Sequence, residues 1–129
     1  MPGLGDTLAL PKPGQEKEHL FALITAPDSE SGEAIMINLT TLRPHSDSTT
    51  VLQPGDHPFV DRPTVVFYAD ARLVKAALLE TAIQQGVGRR HEPLSVGLVK
   101  RIQEGLLASP FTPARIKTAF ETAQARGLT

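Results

Sequence analysis

Two short apolar runs, HLFALIT at 19–25 and AIMINLT at 34–40, restrict the fold of this chain more than any other feature. The first is closed by Pro27, and DSESGE supplies turn chemistry before the second begins. Runs of this length around a glycine-containing loop read as an antiparallel hairpin, with strands at Leu20–Thr25 and Ala34–Thr40. TTVLQ predicts a third strand at Thr49–Gln53, stopped by Pro54 and Gly55. TVVFYA, bounded by Pro63 and rich in β-branched and aromatic residues, predicts a fourth at Thr64–Ala69. With a short strand at Arg72–Val74, four or five strands and long polar connections predict a small, strongly bent sheet or barrel.

The pattern then changes to a period near 3.6. Leu78, Leu79, Ala82 and Ile83 form one stripe of a helix over Lys75–Gln85, which Gly86 stops. Ser95 reads as the N-cap of a second helix carrying Leu98, Val99, Ile102 and Leu106 at helical spacing. Thr112 reads as the cap of a third, with Pro113 at its first position and Ile116 and Phe120 facing inward. Strands first and helices afterwards make an α+β fold, with the helices packed on one side or end of an antiparallel sheet. Residues 1–17, with three prolines and three glycines, read as a flexible lead-in rather than a strand or helix. The expected organisation is therefore a lead-in at 1–17, a strand-built body at 18–74 and a helical region at 75–129, all in a single domain.

The 129 residues, 40% of them hydrophobic, suffice for one core. There is no cysteine, so disulfide and thiolate chemistry are excluded, and a metal would need His and carboxylate ligands. No cofactor motif is present: neither a glycine-rich phosphate loop nor a Ser-His-Asp signature occurs. No apolar run reaches the ~18 residues that cross a bilayer, and the N-terminus lacks a signal-peptide pattern, so the expectation is a cytoplasmic protein with no membrane partner. The formal net charge is −1, but it is unevenly spread. Residues 1–70 hold 10 acidic and 4 basic side chains, and residues 71–129 hold 4 and 9. Such a dipole either steers an anionic ligand to the C-terminal half or lets the halves attract each other, and the second reading is preferred. Arg89, Arg90, Lys100, Arg101, Arg115 and Lys117 then read as outer faces of helices whose inner faces are apolar.

The sequence HLFALITAPDSESGEAIMINLTTL, read as strand, loop, strand and threonines, resembles the PemK/MazF-like family of small toxin endoribonucleases. VLQPGDHPFVDRPTVVFYADARLV is similar to a divergent branch of that family with a Gly-Asp-His-Pro-Phe turn before a strand. The resemblance spans Glu18 to Val74, about half the chain, and the helical C-terminus has no counterpart in the compact toxins. It implies an SH3-like antiparallel β-barrel followed by two or three C-terminal helices. It also implies RNA as substrate, an antitoxin protein as partner and a homodimer. Thr40 or Thr41 would match the family's catalytic-side threonine. The family's arginine at the start of the first apolar strand is absent: Glu18 or His19 stands there, and Arg43 is the nearest arginine.

Cleaving RNA by attack of the 2′-hydroxyl on its own phosphate needs a base, an acid and donors on the phosphate. Imidazole titrates near neutral pH and suits proton transfer, while the guanidinium fork matches two phosphate oxygens. The candidate catalytic set is therefore His19, Thr40, Thr41 and Arg43, with His45, Asp56 and His57 as binding residues. Asp56 and His57 have a second explanation, since Gly55-Asp56-His57-Pro58 can be a tight turn in which Asp56 accepts backbone N–H bonds. The threonines favour strands in any case. A metal reading of His45, Asp47, Asp56 and His57 has no ligand spacing with a sharp mechanism. The rival function is a non-catalytic SH3-like barrel that binds a protein or nucleic acid.

Overall fold

The computed structural model of the chain describes residues 1–11, 14 and 17–129, and shows an α+β fold. The hairpin is present as β2 (Glu18–Leu23) and β3 (Glu33–Thr41), with Phe21 opposite Asn38 and Leu23 opposite Met36. Its turn is organised by Asp28, whose carboxylate accepts the N–H groups of Glu30 and Ser31 at 2.8 and 3.2 Å. Gly32 takes the left-handed conformation, φ 73°, that the return to β3 requires. Thr25 lies beyond the strand but accepts the Ile35 N–H at 2.8 Å, so the hairpin is stitched past its last ladder pair.

The nine residues of β3 serve three partners. One edge pairs with β2, while the other pairs with β6 (Arg72–Lys75) along Glu33–Met36 and with β5 (Thr64–Val66) along Leu39–Thr41. A 3₁₀ turn at Tyr68–Asp70 separates β5 from β6. With β4 (Val51–Leu52) outside β5, and β1 (Thr7–Pro11) and β7 (Arg89–His91) outside β2, the order is β4-β5-β3-β2-β1-β7. Every pairing is antiparallel; among the described residues β4, β6 and β7 each pair with one strand only, so the sheet is open and does not close into the expected barrel.

Both faces of this sheet are covered, which corrects the expectation of helices on one side or end. Leu20, Ala22, Ile35, Ile37 and Leu39 meet Leu98, Val99, Ile102 and Leu106 of α2 (Val96–Ala108) and Ile116 and Phe120 of α3 (Ala114–Ala125). The alternate residues Leu8, Phe21, Leu23, Ala34 and Met36 meet Leu79 of α1 (Ala76–Gln84), with Ile83 alongside. Two-sided burial is why the apolar runs are continuous rather than alternating. Each fully buried aliphatic side chain contributes roughly 1.5–3 kcal/mol. Ser95 caps α2 as expected, its hydroxyl accepting the Leu98 N–H at 3.1 Å. Pro113 occupies the cap position of α3, one residue earlier than its sequence context predicts, and Thr112 makes no cap bond.

Two further corrections concern the chain's divisions. Part of the supposed lead-in is β1, which pairs with β2 from Thr7–Ala22 to Pro11–Glu18 and buries Leu8 and Ala9. Gly5 prepares it: at φ 84° its N–H reaches Leu23 O and its carbonyl accepts from Leu94 N, at 2.8 Å each. Residues 12, 13, 15 and 16 of that segment lie outside the described ones. The supposedly helical region contributes β7, which pairs with β1 through His91–Thr7, Arg90–Leu8 and Arg89–Ala9. The acidic and basic halves are joined by Arg89–Glu18 at 3.3 Å, Arg90–Asp6 at 3.4 Å, Arg101–Asp56 at 3.6 Å and Arg126–Asp28 at 2.6 Å. Exposed pairs of this kind are worth about 0–1 kcal/mol each, so they match the halves more than they hold them. Among the described residues no helix is long and apolar enough to cross a membrane.

Candidate functional site

His19 stands near the start of β2, and Thr40 and Thr41 end β3. Continuing the register of Phe21 opposite Asn38 by two residues brings His19 opposite Thr40 on the same face of the sheet. The next turn places Arg43, whose N–H donates to Ser46 Oγ at 2.8 Å while Ser46 N–H returns to Arg43 O at 3.1 Å. The four side chains His19, Thr40, Thr41 and Arg43 line two adjoining depressions. One, of about 450 Å³, is completed by Lys17, Glu18, Phe59 and Arg62 among others. The other, of about 520 Å³, adds His45, Asp47 and Phe67. The structure thus brings together five of the seven residues singled out from sequence.

The electrostatics of this rim distinguish Arg43 from its neighbours. Arg62 is held by Asp61 at 3.0 Å, and Arg72, Arg89, Arg90, Arg101 and Arg126 also face carboxylates. Arg43 has no carboxylate partner among the described residues, and it is exposed. Its charge is therefore available to an anion. Glu18, on the edge of the same rim, pairs with Arg89 on β7.

Asp47 is a loop anchor. Burial pushes its carboxyl up, but hydrogen bonds from the Thr49 and Ser109 hydroxyls and the Thr49 N–H outweigh this and hold it below the ordinary range. The Ser109 bond, at 2.7 Å, ties the loop to the end of α2. Among the described residues no three His, Asp or Glu side chains meet as a metal set, and His45, Asp47, Asp56 and His57 are spread over different contacts.

Asp56 and His57 line neither depression. Gly55 at φ 101° makes the turn, and Asp56 Oδ2 accepts the Gln53 N–H at 2.8 Å. His57 is buried, 3% exposed, and both ring nitrogens are used. Phe59 N–H donates to Nδ1 at 3.0 Å, which places the ring proton on Nε2, and Nε2 donates to Glu92 O at 2.6 Å. The Thr7 hydroxyl donates to the same carbonyl at 2.7 Å. Because β4 precedes this turn and Glu92 follows β7, His57 ties together the segments beyond the first and last strands of the order.

His91 packs on the same turn, 5.4 Å from the His57 ring and edge-on to Phe59 at 5.6 Å. Burial, then the neighbouring His57 and Arg89, lower its pKa from the ordinary 6.5. The folded state therefore takes up this proton less readily than the unfolded chain. The resulting stability is intact above about pH 6.5 and lost as pH falls from there through the lower folded value. Thermal unfolding midpoints should fall between about pH 7 and 5, and His91→Gln should flatten that slope. An unchanged slope in the variant would remove His91 from the account. Asp28, Asp47 and Asp61, held down chiefly by the Glu30 N–H, by hydroxyl donors and by Arg62 respectively, lose stability only at more acid pH, below the ordinary carboxylate value of 3.8.

Lys17, Arg62 and Phe67 also line these depressions and were not singled out from sequence. Phe67 carried no signal, since it sits in the continuous apolar run TVVFYA. No protein-family model matches this chain, and no curated protein matches it.

Proposed function

We propose that the protein is a PemK/MazF-like toxin-type endoribonuclease built on an SH3-like barrel. The observation that carries this reading is the convergence of His19, Thr40, Thr41 and Arg43 on one rim. The barrel reading draws its support from the antiparallel pairing of β3 with β2, β5 and β6 and from the hydrogen bond between His57, after β4, and Glu92, after β7.

In the proposed reaction Arg43 holds two non-bridging phosphate oxygens, and the threonine hydroxyls donate to the same group. His19 takes the proton from the 2′-hydroxyl as its oxygen attacks phosphorus. The bond to the 5′-oxygen breaks, and that oxygen takes a proton from His45, which lines the same depression as His19. The products are a 2′,3′-cyclic phosphate and a 5′-hydroxyl end. Incubating the purified protein with unstructured RNA and identifying the ends is the direct test, and Arg43→Ala should lower cleavage about 10²-fold, as loss of one anion-stabilising donor does. A wild-type protein that cuts no RNA would sink the proposal.

A second reading has its own observation. Glu18 or His19 stands where the toxins use arginine, and the Glu18 carboxylate beside the rim disfavours phosphate in a reactive pose. A retired barrel that binds RNA or a protein would bind without cleaving. The family resemblance also carries a homodimer and an antitoxin partner, for which light scattering and co-expression with a neighbouring acidic-tailed protein are the checks.

A further inference from the structure

Arg43 opens the loop between β3 and β4, and no residue from 42 to 49 is buried. Apolar packing therefore does not fix this loop, and its hydrogen bonds must. Leu42 N–H donates to Pro63 O at 3.0 Å, just ahead of β5. Arg43 and Ser46 close a turn on each other, and Asp47 follows directly. Both Asp47 oxygens are engaged: Oδ1 accepts the Thr49 N–H at 3.0 Å and the Thr49 hydroxyl at 2.5 Å, and Oδ2 accepts the Ser109 hydroxyl at 2.7 Å. Ser109 belongs to the helical layer. It is the C-cap of α2, fully buried, with its N–H on Gly105 O at 2.8 Å. Its hydroxyl accepts the Phe111 N–H at 3.1 Å, which leaves its one proton for Asp47.

From this arrangement we infer that Ser109, away from the rim, is a positioning residue that acts through Asp47 to hold Arg43 where it meets phosphate. The inference rests on the reading of the rim as a phosphate site. Arg43, His45, Ser46 and Asp47 all line the 520 Å³ depression, so the bond from Ser109 anchors the wall that carries the guanidinium. An arginine whose backbone is already placed loses less freedom when it takes an anion. The identity of Asp47 points the same way. A carboxylate in the wall of an anion site repels the ligand, and its place there is explained by the strong, charge-assisted bond it makes to Ser109.

The test is equilibrium binding of a fluorescein-labelled 2′-O-methyl oligoribonucleotide, which has no 2′-hydroxyl to attack, over a series of salt concentrations. The proteins are wild type, Ser109→Ala, Asp47→Ala, Arg43→Ala and the Ser109→Ala/Arg43→Ala double variant. Ser109→Ala should bind about two- to thirtyfold more weakly. The slope of log K against log salt should flatten by up to about 0.7, the share of one phosphate contact on a single strand, as it does in Arg43→Ala. A loss of stability alone would leave that slope unmoved. Asp47→Ala should also bind more weakly although it removes a repelling charge, and it carries the test should Ser109→Ala not fold. In the Arg43→Ala background Ser109→Ala should cost nothing more. A wild-type slope in Ser109→Ala, a further loss in the double variant, or tighter binding by Asp47→Ala would overturn the positioning role. In that case a flattened slope in Arg43→Ala would leave the phosphate site standing, whereas absence of any binding by wild type would remove both.

Discussion

Gly105→Ala is expected to destabilise the protein by about 3–5 kcal/mol, a large part of the 5–15 kcal/mol typical of a domain. Gly105 lies on the buried side of α2. A Cβ there would sit 2.1 Å from Thr50 Oγ1 and 2.1 Å from the Tyr68 hydroxyl oxygen. Neither atom can move cheaply. The Tyr68 hydroxyl donates to Ile102 O at 2.9 Å and is bonded to Thr50 Oγ1 at 2.7 Å, in a place so dry that burial pushes its pKa upward. Displacing Tyr68 would leave buried polar groups unpaired, at about 1–3 kcal/mol each, besides opening the gap between α2 and the sheet. Urea unfolding measures the loss. The penalty should shrink when Tyr68→Phe removes one of the two clashing oxygens, and a Gly105→Ala midpoint equal to wild type would show that α2 stands off further than described.

The largest expected effect on activity is at His19. With the fold intact, His19→Ala should lower RNA cleavage by about 10²–10⁴-fold, the range for removal of a general acid or base. Added imidazole should restore part of the rate, because the depression it would enter is open on the rim. RNA affinity should change little, which separates the proton-transfer role from the anchoring role of Arg43. A variant that cuts as fast as wild type would assign the proton transfer elsewhere on the rim, with His45 the first residue to examine.

The hairpin was legible because its runs are uninterrupted and its turn uses ordinary chemistry, and α2 because its cap and its stripe agree. β1 was hidden by its neighbours. Pro2, Gly3, Gly5, Pro11, Pro13 and Gly14 give the segment the composition of a linker, while TLALP holds its place through pairing with β2 and β7, partners that are remote in sequence. β7 was harder still, since RRH has no apolar residue and is a strand only because β1 offers it an edge. At the rim, His19, Thr40, Thr41 and Arg43 share two depressions because the hairpin's ladder sets their spacing. The tie that His57 makes was not legible because its partner, Glu92, lies 35 residues away. Motif and turn can be read locally, but the far side of a hydrogen bond cannot.

The tie between His57 and Glu92 has a consequence for how the chain matures. A ribosome that has released only the first 74 residues has exposed the hairpin but neither the strand that covers the outer side of Thr7–Ala9 nor the carbonyl that His57 needs. Such a nascent fragment carries a raw, pairing-competent margin, and its natural escape before synthesis is finished is to add a strand from another chain. The last third of the sequence is therefore the seal of the structure, and its removal should yield aggregates in place of a smaller working module.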